Sequence, residues 1–166
     1  LWREGSAATP LPGIWVRALS PSGDVAVATT TSATAFQVIT RTGTRTIAHP
    51  TANENSNLWM AVPDDRSFAV MTMEGRYARF DVDGRLTAQT VAPIYGWMLA
   101  SGALSGDGLR FAYPTDAADG AMVVWDLAGP LPPRMTGKPL TVDSGGTAPR
   151  DLALDRDGKR LATAAS

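Results

Sequence analysis

The chain has no cysteine and a single histidine, and each scarcity removes a kind of chemistry. Without thiols there is no disulfide, no thiolate nucleophile and no cysteine-based zinc site, while either redox compartment stays open. With one imidazole, any Ser-His-Asp triad or histidine metal site would have to use His49. Neither a nucleophile elbow nor a second ligand accompanies it, so His49 is expected to be structural or simply at the surface. No run approaches the roughly 18 to 20 continuous apolar residues of a membrane helix, and the opening residues lack the charged-then-apolar layout of a leader. Membrane insertion is not expected. Like-charge blocks are missing too: 15 basic against 16 acidic residues leave a formal charge of −1, with no electrostatic footprint for nucleic acid.

What is present suffices for a domain-sized core, since 44% of the 166 residues are hydrophobic. Helical periodicity does not organise them. The nearest candidate, IYGWMLASGAL at 94 to 104, is interrupted by Gly96 and Gly102. Instead, DVAVATT (24 to 30), SFAVMT (67 to 72) and LRFAYPT (109 to 115) are short, rich in Val, Phe and Thr, and bounded by Gly, Pro and Asp. Between such segments stand Ser22-Gly23-Asp24, Asp83-Gly84, Asp107-Gly108 and Asp157-Gly158, where a hairpin needs a residue that tolerates positive φ. The expected class is all-β.

One phrase recurs. ALSPSGDVA from Ala18, AVPDDRSFA from Ala61, ALSGDGLRFA from Ala103 and ALDRDGKRLA from Ala153 lie 43, 42 and 50 residues apart. A spacing of forty-odd residues is the mark of a repeat architecture. A second landmark keeps step: VVWDLAG (123 to 129), ARFDVDG (78 to 84) and VITRTG (38 to 43) make Trp125, Phe80 and Ile39 equivalent. LWREG extends the frame backwards, with Trp2 37 residues before Ile39. Each period holds four strands: one through the repeated Ala, one after the first turn, one ending at the landmark, and one in the Thr- or Pro-bearing stretch beyond. Four antiparallel strands make a blade, and blades set radially cover one another's faces. The small Ala then belongs on the strand nearest the axis, where space narrows, and Phe111, Tyr113, Val123 and Trp125 fill the wider gaps.

These residues resemble the WD-repeat β-propeller family over essentially the whole chain, in the degenerate form typical of bacterial members. Trp125-Asp126 is the intact signature dipeptide, Phe80-Asp81 keeps half of it and Ile39-Thr40 neither. The family's Gly-His is missing, with Ala48-His49 standing 31 residues before Phe80 and Gly96-Trp97 in the corresponding place one blade on. The His, Ser/Thr, Asp, Trp network that the resemblance implies is therefore incomplete in every blade, which leaves looser propellers of the TolB or quinoprotein type open. The expected layout is a single propeller segment over 1–166: a partial blade about 1–13, blades about 14–56, 57–97 and 98–148, and a partial blade about 149–166. Three blades do not close a ring. The partial ends form a fourth blade, another copy completes the ring, or the chain is cut from a longer protein, and the cut is favoured.

Candidate sites divide between chemistry and scaffold. DRDG (155 to 158) and DVDG (81 to 84) look like the opening of a calcium loop but lack the distal bidentate Glu and sit where the repeat demands turns. Asp116 and Asp119 in PTDAADG fall where the resembled family keeps its network Asp, and a structural role is preferred to catalysis. Loops entering each first strand carry Asn53, Glu54, Asn55, Asn57, Tyr95, Trp97 and Arg150, with Trp15 and Trp59 at strand entrances. Aromatic and Arg groups around such a mouth suit protein or peptide contacts; the Trp residues also suit blade core. The partner-binding candidates are Trp97, Tyr95, Arg150, Asn55, Asn57, Trp59 and Trp15, and no catalytic, metal or cofactor residues are expected. The favoured function is a non-catalytic interaction scaffold for a protein or peptide, with self-association through open blade edges a further expectation. The alternatives are the gating propeller of a serine hydrolase or peptidase, a propeller enzyme, and the sensor module of a signalling kinase or ATPase.

Overall fold

The computed structural model describes residues 13–30, 35–48, 58–92, 102–114, 121–128, 134–135, 140–141 and 151–164. They are all-β, with no helix among them. The first sheet is β1 (Ile14–Leu19), β2 (Ala26–Thr30), β3 (Ala35–Thr40) and β4 (Gly43–Ala48), hydrogen-bonded in that order. The second repeats the plan with β5 (Leu58–Asp64), β6 (Ser67–Thr72), β7 (Arg76–Asp81) and β8 (Leu86–Val91). In the third, β9 (Ala103–Leu104), β10 (Arg110–Pro114) and β11 (Ala121–Asp126) are followed by two short pieces, β12 (Arg134–Met135) and β13 (Leu140–Thr141), both paired to β11. The last pair is β14 (Asp151–Leu154) and β15 (Leu161–Ala164). Every pairing is antiparallel between sequence neighbours or, for β13, one strand beyond, so short hairpins suffice for the connections.

The recurring phrase keeps one register. Ala18, Ala61, Ala103 and Ala153 all lie on first strands, opposite Val27, Ala69, Ala112 and Ala162. The landmark residues Ile39, Phe80 and Trp125 lie opposite Ala26, Phe68 and Phe111. The polar residue after the apolar pair explains the rest of the phrase, because it caps the tight turn. Ser20 Oγ accepts the Val25 amide at 3.1 Å, Ser105 Oγ accepts the Arg110 amide at 2.9 Å, and Asp155 Oδ1 accepts the Lys159 and Arg160 amides at 2.7 and 3.0 Å. In the second sheet Pro63 occupies this place, and Asp64 takes over by accepting the Arg66 amide at 2.9 Å. Partial burial pushes the Asp64 carboxyl up, but that amide, the Ser67 hydroxyl and amide and the Arg79 charge outweigh it and hold the group below its usual range.

Side chains alternate across each strand, so a strand stacked on both faces reads as a continuous apolar run. SFAVMT is such a strand: Phe68 and Val70 join Val27, Phe36, Val38 and Ile47 of the first sheet, whereas Ala69 and Met71 join Phe111, Tyr113 and Trp125 of the third. The first interface centres on Phe36, Phe68 and Phe80, with ring centroids 5.1 to 6.3 Å apart. The second brings Trp59 to 5.0 Å from Phe111, which lies 6.0 Å from Tyr113. Such pairs contribute about 0.5–1.5 kcal/mol each beyond the area they bury. The innermost strands follow one another in space as well, β1 beside β5, β5 beside β9 and β9 beside β14. The sheets are thus blades set around a common axis.

Polar bonds join the blades. The Tyr77 hydroxyl donates to the Gly108 carbonyl at 2.8 Å, Arg110 Nη1 to the Gly158 carbonyl at 3.2 Å, and the Asp107 amide to the Arg156 carbonyl at 2.7 Å. Gly108 is required twice over: its φ is +71°, and a Cβ there would lie 2.7 Å from the Ala69 Cβ of the blade before.

Candidate partner-binding surface

The inner strands offer two ends. At the entrance end, the same register position holds Trp15 opposite Thr29 in β1 and Trp59 opposite Met71 in β5, an extra residue near Arg17 being absorbed by a bulge. Their surroundings differ. Trp59 is half-buried against Phe111 because Gly102 gives it room; a Cβ on Gly102 would sit 2.8 Å from its ring. The counterpart of Gly102 in the second sheet is Met60, whose side chain packs into the first interface and leaves no such slot. Trp15 accordingly stays 61% exposed. Arg17 lies over its ring, 5.4 Å from guanidinium carbon to centroid, and is itself fixed by donating from Nε to Thr29 Oγ1 at 3.0 Å. This is an exposed aromatic plate with a charged edge, and Trp and Arg are both enriched among the residues that anchor protein contacts.

At the turn end, a cleft of about 420 Å³ takes its walls from all four first strands, among them Leu19, Met60, Leu104 and Leu154, with Arg156 at the rim. The sequence marked the entrance loops and missed this cleft. Its signal was the apolar residue that follows each repeated Ala, which projects beside the axis. A second hollow, about 510 Å³, lies at the periphery where the first two sheets diverge, lined by Ala48, Ala78, Phe80, Leu86, Gln89 and Val91.

The acidic turns are occupied by local bonds. Asp81 accepts the Arg85 amide and pairs with its guanidinium at 3.0 Å, Asp83 pairs with Arg45 at 3.5 Å, and Asp157 pairs with Lys159 at 2.6 Å. The Arg85 amide above all holds the Asp81 carboxyl low, and the Lys159 ammonium does the same for Asp157. Among the described residues no group of three His, Cys, Asp or Glu side chains is placed to hold a metal ion. Trp125, in the one intact Trp-Asp dipeptide, is buried, and its Nε1 meets no partner among the described residues. Asn55, Asn57, Tyr95, Trp97 and Arg150 lie outside the described residues, as do His49, Asn53, Glu54, Asp116 and Asp119.

Comparison with known proteins places the fold. No family model matches the chain, and no curated protein does. Among solved structures, it is similar to virginiamycin B lyase from Staphylococcus aureus, a propeller, with a TM-score of 0.56 and 16% identity over 88% of this chain and 46% of that one. It is also similar to a chain in the complex of KlAtg21 with the coiled coil of AgAtg16, with a TM-score of 0.58 and 11% identity over 89% of this chain and 48% of the other. Both likenesses are of fold. The chain spans about half the length of each.

Proposed function

We propose that this chain is a non-catalytic interaction scaffold of WD-repeat-like blades, and that it holds a protein or peptide at the entrance end of its inner strands. The observation that carries this reading is the contrast between Trp15 and Trp59. One register position has a packed tryptophan in the second blade and an exposed one in the first, already stiffened by Arg17. An ordered, solvent-facing Trp-Arg pair loses little conformational entropy when a partner covers it, which is the economy of an interface hot spot. That one similar chain comes from a complex with a coiled coil supports a protein partner.

Peptides selected on the chain by display provide the test. Trp15→Ala should weaken their binding by about 30-fold or more, the effect of losing roughly 2 kcal/mol at a hot spot, with no fall in melting temperature. Selected peptides that bind equally well to Trp15→Ala would refute the assignment. The likeness to a lyase favours one second reading, a propeller enzyme, with chemistry in the axial cleft beside Arg156. Turnover of virginiamycin B by the chain, lost in Arg156→Ala, would select that reading instead.

A further inference from the structure

The cleft at the turn end of the axis has walls of one chemical kind and a rim with a single charge. Leu19, Met60, Val62, Leu104 and Leu154 form the walls together with alanine, proline and glycine, and Arg156 is the one lining side chain that donates hydrogen bonds. Arg156 fills the place that the recurring phrase gives to Pro21, Asp64 and Gly106 in the other blades. Its main chain is fixed against the third sheet: the Arg156 carbonyl accepts the Asp107 amide at 2.7 Å, and the Asp155 carbonyl accepts the Gly106 amide at 3.4 Å. Gly106 lets the two turns approach, because a Cβ on it would lie 3.1 Å from the Arg156 Cα and 3.4 Å from its Cγ. The guanidinium, by contrast, has no carboxylate. Its acidic neighbours are engaged elsewhere: Asp155 accepts the Lys159 and Arg160 amides and faces the Arg160 guanidinium at 3.5 Å, and Asp157 pairs with Lys159 at 2.6 Å. Asp64, the anion at the equivalent place in the second blade, accepts the Arg66 amide and the Ser67 hydroxyl. Among the described residues no ion pair includes Arg156.

We propose that this cleft binds a small apolar carboxylate, with its hydrocarbon body against the leucine and methionine walls and its carboxylate on the Arg156 guanidinium. Charge complementarity selects the anion: one unpaired cation stands over walls that carry no other charge, and the guanidinium fork matches a carboxylate with two parallel hydrogen bonds. Size selects a small molecule, since about 420 Å³ is near the lower end of the range for ligand pockets. A peptide fits the walls poorly, because its amides would be buried against side chains with no strong hydrogen-bonding group. The cleft lies at the opposite end of the inner strands from Trp15, so this site is independent of the partner surface there.

Octanoate tests this, with the methyl resonances of the purified chain as the readout. Titration should shift the Met60, Leu104 and Leu154 methyl signals together along one saturable curve. Octanol, which has the same body and no charge, should bind about 10-fold or more weakly, the effect of losing a hydrogen-bonded charge. Arg156→Gln should reduce octanoate binding to the level of octanol and leave octanol binding unchanged. Arg156 is exposed, so the circular dichroism spectrum of that variant should match wild type. Trp15→Ala should bind octanoate as wild type does, and a short peptide ending in leucine should bind more weakly than octanoate. No saturable shift with millimolar octanoate would overturn the proposal. So would octanol binding as tightly as octanoate, an Arg156→Gln chain that binds octanoate like wild type, loss of binding in Trp15→Ala, or tighter binding of the peptide.

Discussion

Tyr77 allows a sharp test of how the blades are joined. Its ring is buried between the second and third sheets, 2% exposed, and its hydroxyl donates to the Gly108 carbonyl at 2.8 Å. Tyr77→Phe keeps the packing and removes one buried hydrogen bond, leaving a carbonyl unsatisfied, for a loss of about 1–2 kcal/mol. In a chain of this length that lowers the melting temperature by roughly 3–6 °C. Alkali supplies a second, independent readout. Burial, opposed in part by Arg79 and reinforced by Asp107, pushes the phenol from 10.0 up to about 12. The folded state therefore holds its proton where the unfolded state has lost it. The contribution is fully present below pH 10 and is lost as pH rises through 12. Two pKa units correspond to about 2.7 kcal/mol, more than the hydrogen bond itself contributes at neutral pH. The stability difference between wild type and Tyr77→Phe, measured by urea unfolding from pH 8 to 12, should favour wild type at pH 8 and shrink steadily above pH 10. By pH 12 it should vanish or change sign. A difference independent of pH would show that the hydroxyl is not buried at the blade interface.

Other substitutions probe other parts of the stack. Gly102→Val should cost about 1–3 kcal/mol by forcing the Trp59 ring and Phe111 apart, visible as a shift in tryptophan emission and a lower urea midpoint. Phe68→Ala, which empties the centre of the first interface, should cost about 3–5 kcal/mol in the same assay. Ser105→Ala removes the cap on a buried turn and leaves the Arg110 amide without its acceptor; a loss of about 1–2 kcal/mol is expected by thermal denaturation. On the acid side, Asp65 is held low first by the Ser20 and Ser22 hydroxyls, so its stabilising contribution is present above its ordinary pKa of 3.8 and is lost as pH falls below it. Asp65→Asn should lower stability slightly at neutral pH, where the carboxylate accepts those hydroxyls, and converge with wild type in acid, so that the acid limb of its stability-versus-pH curve is flatter.

Much of the fold was legible because the repeat states it several times. SFAVMT coincides with β6, the four recurring alanines all fall on first strands, and the glycines in the marked turns at 23, 84, 108 and 158 all have positive φ. Each of these follows from local chemistry: alternation, turn residues and a small side chain near an axis. The candidate site was less legible, since it depends on what lies across an interface. IWVRAL and LWMAV look alike, yet the fate of each tryptophan is set some 43 residues downstream, by Met60 in one case and Gly102 in the other. The axial cleft has the same origin. Leu19, Met60, Leu104 and Leu154 are far apart in the chain and meet only because successive first strands converge.

The central claim, that antiparallel sheets stack as blades with each covering the next, is tested most directly by nuclear Overhauser contacts between aromatic side chains of different sheets. Phe36 should show contacts to Phe68, and Trp59 to Phe111, with centroids at 5.9 and 5.0 Å. Absence of both, together with backbone contacts pairing β4 to β5 or β8 to β9 into one continuous sheet, would contradict it.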